Sequence, residues 1–155
     1  MKILVIYDSV FGNTEKIAQA VSAGLTGRGE VELLKVADVT PQKLAGVGLL
    51  VAGSPTRGFR ATEGMKALLK NLPAGALQGV KVAAFDTRLV IKEVHNAFLS
   101  FMVGIFGYAA KPMADALVSK GGQLAVPPEG FFVKASEGPL KDGELERAAA
   151  WAKGI

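Results

Sequence analysis

Ile3-Leu4-Val5-Ile6-Tyr7, followed by Asp8-Ser9-Val10-Phe11-Gly12-Asn13-Thr14, opens the chain and decides how the rest is read. Five consecutive apolar residues, β-branched ones among them, predict a strand buried on both faces, as in a parallel sheet covered by helices. A loop follows at once, and from Glu15 onward Ile17, Ala18, Val21 and Leu25 recur with a period near four, which predicts a helix. Gly12 lets the backbone come close to a ligand, and the hydroxyls of Ser9 and Thr14 stand beside the unpaired amides of the new helix turn. Such a strand, loop and helix make a cradle for a phosphate. The same residue types also cap helices and make ordinary turns.

Related motifs are excluded one by one. A dinucleotide fingerprint needs glycines after a strand, whereas Gly46 and Gly48 precede one. No Gly-Lys-Ser/Thr string closes a triphosphatase loop, and a phosphatase of this architecture needs a Cys that the chain lacks. A phosphoacceptor receiver needs an acidic pair after strand one and an Asp after strand three, where this chain has a single Asp8 and Ser54. His95 is the only histidine, so no Ser, His and acid set can be assembled around any other base.

What remains resembles the flavodoxin family, whose first loop runs Thr/Ser-x-Thr/Ser-Gly-x-Thr around the phosphate of flavin mononucleotide (FMN). Ser9, Gly12 and Thr14 match it, and Asn13 fills the variable place. Phe11 stands where the family usually has a hydroxyl, an aromatic that flavodoxin-like quinone reductases accept. Gly53-Ser54-Pro55-Thr56-Arg57-Gly58-Phe59-Arg60 then resembles the second flavin loop, at the carboxyl end of a strand where doubly wound folds place ligands. By that resemblance Gly58 adjoins the flavin N5, and Phe59 or the Arg57 stem covers a ring face. Asp86, Thr87 and Arg88 fall where the family's third loop belongs, with Arg88 in place of a stacking Tyr.

The 155 residues are half hydrophobic and 21% charged, enough for one domain with its own core, taken as 1–155. With no Cys and one His, a disulfide framework and a structural zinc site are excluded. The net charge of +4 comes from scattered Lys and Arg, without the basic stripe that nucleic-acid binding would need. Five apolar residues before Asp8 are too few for a signal peptide, so the expected location is cytoplasmic.

Further along, Glu30 to Val36 reads as an edge strand, with Glu32 and Lys35 charged, after a helix stopped by left-handed glycine at Gly27-Arg28-Gly29. Thr40-Pro41 caps a short helix over Gln42 to Ala45. Val47 to Ala52 is the third strand, Ala61 to Leu72 a helix stopped by Pro73, and Val80 to Phe85 the fourth strand. Val94 to Ala110 carries no charge, and Phe98, Phe101, Met102, Ile105 and Phe106 share a helical face. That run is shorter than the ~20 residues a membrane span needs, so it predicts a buried helix and a homo-oligomer contact. Met113 to Lys120 reads as a helix. Gln123 to Val126 and Phe131 to Val133 form one last strand broken at Pro127-Pro128, and a helix around Leu145, Ala149 and Trp151 closes the chain.

The expectation is an α/β doubly wound five-stranded parallel sheet of order 2-1-3-4-5, with helices on both faces. The resemblance implies FMN as cofactor and electron transfer, either as a carrier for a redox partner protein or as a reductase acting on a quinone with a nicotinamide donor. The other reading is a flavin-free interaction module that kept the fold. Arg57, Arg60 and Arg88, with Asp86 the only acid among them, predict a cationic flavin environment and a redox potential above that of acidic flavodoxins.

Overall fold

The computed structural model describes residues 1–89 and 107–155. Six strands are seen, β1 (Lys2–Tyr7), β2 (Glu30–Lys35), β3 (Val47–Pro55), β4 (Lys81–Leu89), β5 (Gln123–Leu124) and β6 (Glu129–Val133). They form one sheet of order β2-β1-β3-β4-β5, with β6 also on β4. Every ladder is parallel. The expected order and the edge position of β2 are both present.

The all-apolar strands are explained by layers on both faces. Leu4, Ile6, Leu50, Ala52, Val82 and Ala84 pack with α3 (Glu63–Asn71) and α4 (Ala110–Ser119). Their sequence neighbours Ile3, Val5, Leu49, Val51, Ala83 and Phe85 pack with α1 (Asn13–Leu25) and α5 (Glu144–Lys153). Alternation along each strand therefore divides the apolar residues between two cores. On the α1 side the fully buried Phe85 meets Phe131 and Trp151 edge-on, each pair with ring centroids about 6 Å apart. Gly53 on β3 makes room for this ring, because a Cβ there would run into it.

Several boundaries differ from expectation. Helix α1 stops at Leu25 and runs into a 3-10 turn, Thr26–Arg28; Gly29 is extended at φ 164°, not left-handed. Its missing side chain is needed because a Cβ would strike the Met1 carbonyl. The short helix α2 (Pro41–Leu44) begins at Thr40, whose Oγ1 accepts from Lys43 N–H at 3.4 Å. Helix α4 starts at Ala110, three residues before the expected Met113, with Pro112 in the first turn where its missing N–H costs no bond. Strands β3 and β4 continue past the expected ends at Ala52 and Phe85, to Pro55 and Leu89. Residues 90–106, with His95 and the expected apolar helix and oligomer contact at 98–106, lie outside the described residues. Among the described residues no helix is long and apolar enough to cross a membrane.

The fifth strand is broken as expected, and its register is informative. Val82 pairs with Leu124 and Phe85 with Glu129, so Ala83 and Ala84 stand opposite four residues, 125–128. Beyond β6 the chain turns back, Lys134 N–H donating to Pro139 O and Lys141 N–H to Phe132 O, each at 2.8 Å. This return covers the free edge of β6.

Glu144 fastens α5 to that edge. Its Oε2 accepts from Phe132 N–H at 2.7 Å, and Arg147 donates to both carboxylate oxygens at 2.8 and 2.7 Å. Burial would raise this carboxyl, but the bonds from Arg147 and Phe132, with the charges of Arg147 and Lys141, hold it below the ordinary range. A folded value below the unfolded one stabilises the fold above the unfolded pKa of about 4.3 and is lost as pH falls through the folded value. Glu144→Gln should therefore lower the urea midpoint at pH 7 and narrow its gap to wild type towards pH 3. A gap that stays constant with pH would contradict this role.

Candidate cofactor site

The chain passes from β1 to β2 on one side and then to β3 on the other, which opens a crevice at the carboxyl ends of β1 and β3. A cavity of about 590 Å³ lies there, within the range of small-molecule sites, ~300–1,000 Å³.

The first wall is the β1–α1 loop. Ser9, Val10, Phe11, Asn13 and Thr14 line the cavity. Gly12 sits at φ 91° as the N-cap of α1 and offers no side chain to the helix amides. The amides of Asn13, Thr14 and Glu15 precede the first intrahelical bond, Lys16 N–H to Gly12 O at 3.2 Å, so this helix end is built to receive an anion. Ser9 Oγ accepts from Gly12 N–H at 3.1 Å and keeps its own proton to donate. Buried Thr14 and Thr87 share one hydrogen bond between hydroxyls at 2.8 Å, leaving one O–H of the pair for a ligand. Glu15, the acid of this first turn, accepts from Tyr7 OH at 2.9 Å. Burial, then that bond, pushes the Tyr7 phenol up to about 12, so it stays a donor.

The second wall is the loop after β3. Pro55, Thr56, Arg57, Gly58 and Phe59 line the cavity. Arg57 and Arg60 pair across a tight antiparallel turn in which Gly58 (φ 54°) and Phe59 (φ 68°) are both left-handed. Two positive φ angles mark a type I′ turn, and a bulky Phe in that conformation is strained. The Arg57 guanidinium lies 5.4 Å from the centre of the half-exposed Phe11 ring, joining the two loops. Ser54 lies outside the cavity lining. It is fully buried and braces the loop, its Oγ accepting from Thr62 N–H at 3.0 Å. Thr62 in turn donates to Asp8 at 2.5 Å.

The third expected loop is not a loop. Asp86, Thr87 and Arg88 lie inside β4, held by parallel pairing to Gly130, Phe131 and Phe132. Thr87 and Arg88 line the cavity. Asp86 does not: it is fully buried beneath, where Arg88 Nε and Nη2 reach its carboxylate at 2.6 and 2.7 Å and Ala110 N–H at 2.8 Å. Burial raises the Asp86 carboxyl above its ordinary range, against the pull of Arg88, Ala110 and Thr56. Thr56 is fully engaged, since its hydroxyl also accepts from Ala109 N–H at 3.0 Å. The three arginines therefore do not act together on the cavity. Arg88 is compensated by Asp86, Arg60 lies off the lining, and Arg57 faces a cavity that Glu137 also lines.

Five lining residues escaped the sequence reading, namely Leu89, Tyr108, Val133, Ser136 and Glu137. Tyr108 brings an aromatic ring to this wall, with the Arg88 guanidinium 3.8 Å from its ring centre. The loop after β6 supplies the last wall, and Asn13 Nδ2 donates to Glu137 O at 3.1 Å, tying α1 to it. Tyr108 could have been noticed as the first Tyr after β4; the Ser136–Glu137 wall carries no sequence signal.

A sequence profile of the flavodoxin family matches residues 5–87, more than half of the chain. The chain belongs to the flavodoxin family. Its fold is also that of an archaeal flavodoxin (TM-score 0.75, 21% identity, 100% of this chain and 96% of that one). It matches flavodoxin 2 of Bacillus cereus equally well (TM-score 0.76, 22% identity, 99% and 97%). It also matches one third of rubredoxin oxygen:oxidoreductase from Desulfovibrio gigas (TM-score 0.74, 21% identity, 99% of this chain and 35% of that one). Flavodoxins bind FMN and pass electrons to redox partners. The cavity of this flavodoxin-family chain suits that cofactor, with anion donors at the α1 end and the rings of Phe11, Phe59 and Tyr108 elsewhere around it.

Proposed function

We propose that this chain holds FMN in the cavity between the β1–α1 loop, the β3–α3 loop and the end of β4, and exchanges electrons through it with a redox partner protein or a small quinone or nicotinamide. The observation that carries the reading is the uncapped α1 amino terminus opening on the cavity beside Ser9, Thr14 and Thr87. These residues would bind the phosphate, with Val10, Gly12 and Asn13 shaping the loop around it. Pro55, Arg57, Gly58, Phe59, Tyr108 and Phe11 would bound the flat ring system and exclude water from it. Ser54, Thr56 and Asp86 act through position, bracing the second loop and anchoring Arg88 and the start of α4. Bound FMN would supply one- and two-electron redox chemistry, which the protein's own groups lack. A single domain working in the cytoplasm is part of this reading.

The test compares two ligands. Thr14→Ala removes a hydroxyl from the phosphate end, and a lost bond to a charged group is worth about 1.5–3 kcal/mol, roughly a ten- to hundredfold rise in Kd for FMN. Riboflavin, which has no phosphate, should bind wild type and variant alike. Equal losses for both ligands would move the phosphate elsewhere. Purified protein with no flavin absorbance, and a melting temperature unmoved by saturating FMN, would favour the flavin-free module.

A further inference from the structure

A second cavity of about 440 Å³ lies beside the first, between α3 and α4. Small side chains line it, Ala61 in the loop before α3 and Pro112 and Ala116 on α4, above the buried side chains of Leu69 and Met113. Phe59 borders both cavities. The rim is cationic, carrying Arg60, Lys66 and Lys70. Glu63 engages Lys66 at 2.6 Å, while Arg60 and Lys70 have no ion-pair partner among the described residues. Lys120 adds a further cation at the end of α3, donating to Lys70 O at 3.1 Å.

We propose that this groove binds a small organic anion with a flat apolar body, an arene carboxylate, sulfonate or phosphate, in contact with the Phe59 side of the cofactor cavity. An apolar floor takes the ring out of water, and the exposed cations at its edge attract an anion over a Debye length, ~10 Å at 0.1 M salt. Arg60 and Lys70, which no carboxylate reaches at ion-pair distance among the described residues, and Lys66 beside them give the rim its sign, with Glu63 the one acid acting on them. The apolar floor selects an anion with a hydrocarbon body over a bare inorganic one. The shared Phe59 places such a molecule next to the proposed flavin site, where an electron donor or acceptor would need to sit, so the assignment extends the FMN reading to the class of its small-molecule partner.

Isothermal titration of the purified chain with naphthalene-2-sulfonate and with the neutral 2-naphthalenemethanol tests the groove, while flavin fluorescence follows FMN binding separately. The sulfonate should bind at least tenfold more tightly than the alcohol. That preference should vanish in Arg60→Gln/Lys70→Gln, whose replaced groups are solvent-facing, and both probes should be lost in Ala116→Trp, which fills the groove. FMN affinity should be the same in wild type, in Ala116→Trp and in the single variant Lys70→Gln, all of which leave the Arg57–Arg60 turn untouched. Absent binding, equal affinity for the two probes, or binding unmoved by Ala116→Trp would overturn the proposal whatever the FMN titration gives. Lost FMN binding with the probe pattern intact would instead remove only its link to the flavin.

Discussion

Replacing Arg88 with Met is expected to destabilise the fold by about 3–5 kcal/mol, because it leaves the fully buried Asp86 charge without its partner. Most of the loss belongs to the stranded carboxylate, not to the missing guanidinium. Asp86→Asn in the same background keeps an oxygen for Ala110 N–H and removes the charge, so the double variant should recover most of the stability. Acid should help the single variant as well. Burial already places the Asp86 carboxyl above its ordinary range, and a folded value above the unfolded one gives stability at low pH that is lost as pH rises through it. Urea unfolding at pH 7 and pH 5 measures both effects. A double variant no more stable than Arg88→Met, or a penalty that grows on acidification, would refute the account.

The ring cluster under the sheet carries the second large expectation. Phe85→Ala should destabilise by about 3–5 kcal/mol, since Phe131 and Trp151 are held at fixed edges around the ring and close the void only in part. Gly53→Ala should harm the fold from the opposite direction, by about 1–3 kcal/mol, because the new Cβ meets the Phe85 ring. The two sites share one volume. Phe85→Leu should thus soften Gly53→Ala, and strictly additive losses in a double-mutant cycle would show that they do not interact.

What was legible in the sequence was what neighbouring residues dictate together. The run Ile3 to Tyr7 could only be a strand covered on both faces, and Ser9 to Thr14 carried its turn, cap and helix start within six residues. Asp86 and Arg88 misled because charge at the end of an apolar run signals departure from a sheet. In three dimensions each neutralises the other, and the strand continues through both. Tyr108 and Glu137 belong to the cavity through contacts with Arg88 and Asn13, partners 20 and 124 positions away in the chain. No local pattern encodes such distances. The left-handed Phe59 was illegible for the opposite reason, since its side chain argues against the conformation that the Arg57–Arg60 pairing imposes.

The break in the last strand has an arithmetic of its own. Opposite the two residues Ala83 and Ala84 the chain spends four, 125–128, a surplus of two. Side chains alternate faces with a period of two, so an even surplus is invisible downstream: Phe131 still lands beside Phe85 and Val133 still points inward. An odd surplus would invert every residue of β6, turning Phe131 away from Trp151 and setting Phe132 in its place. Length at this edge is thereby quantised, and the detour can grow or shrink only by pairs.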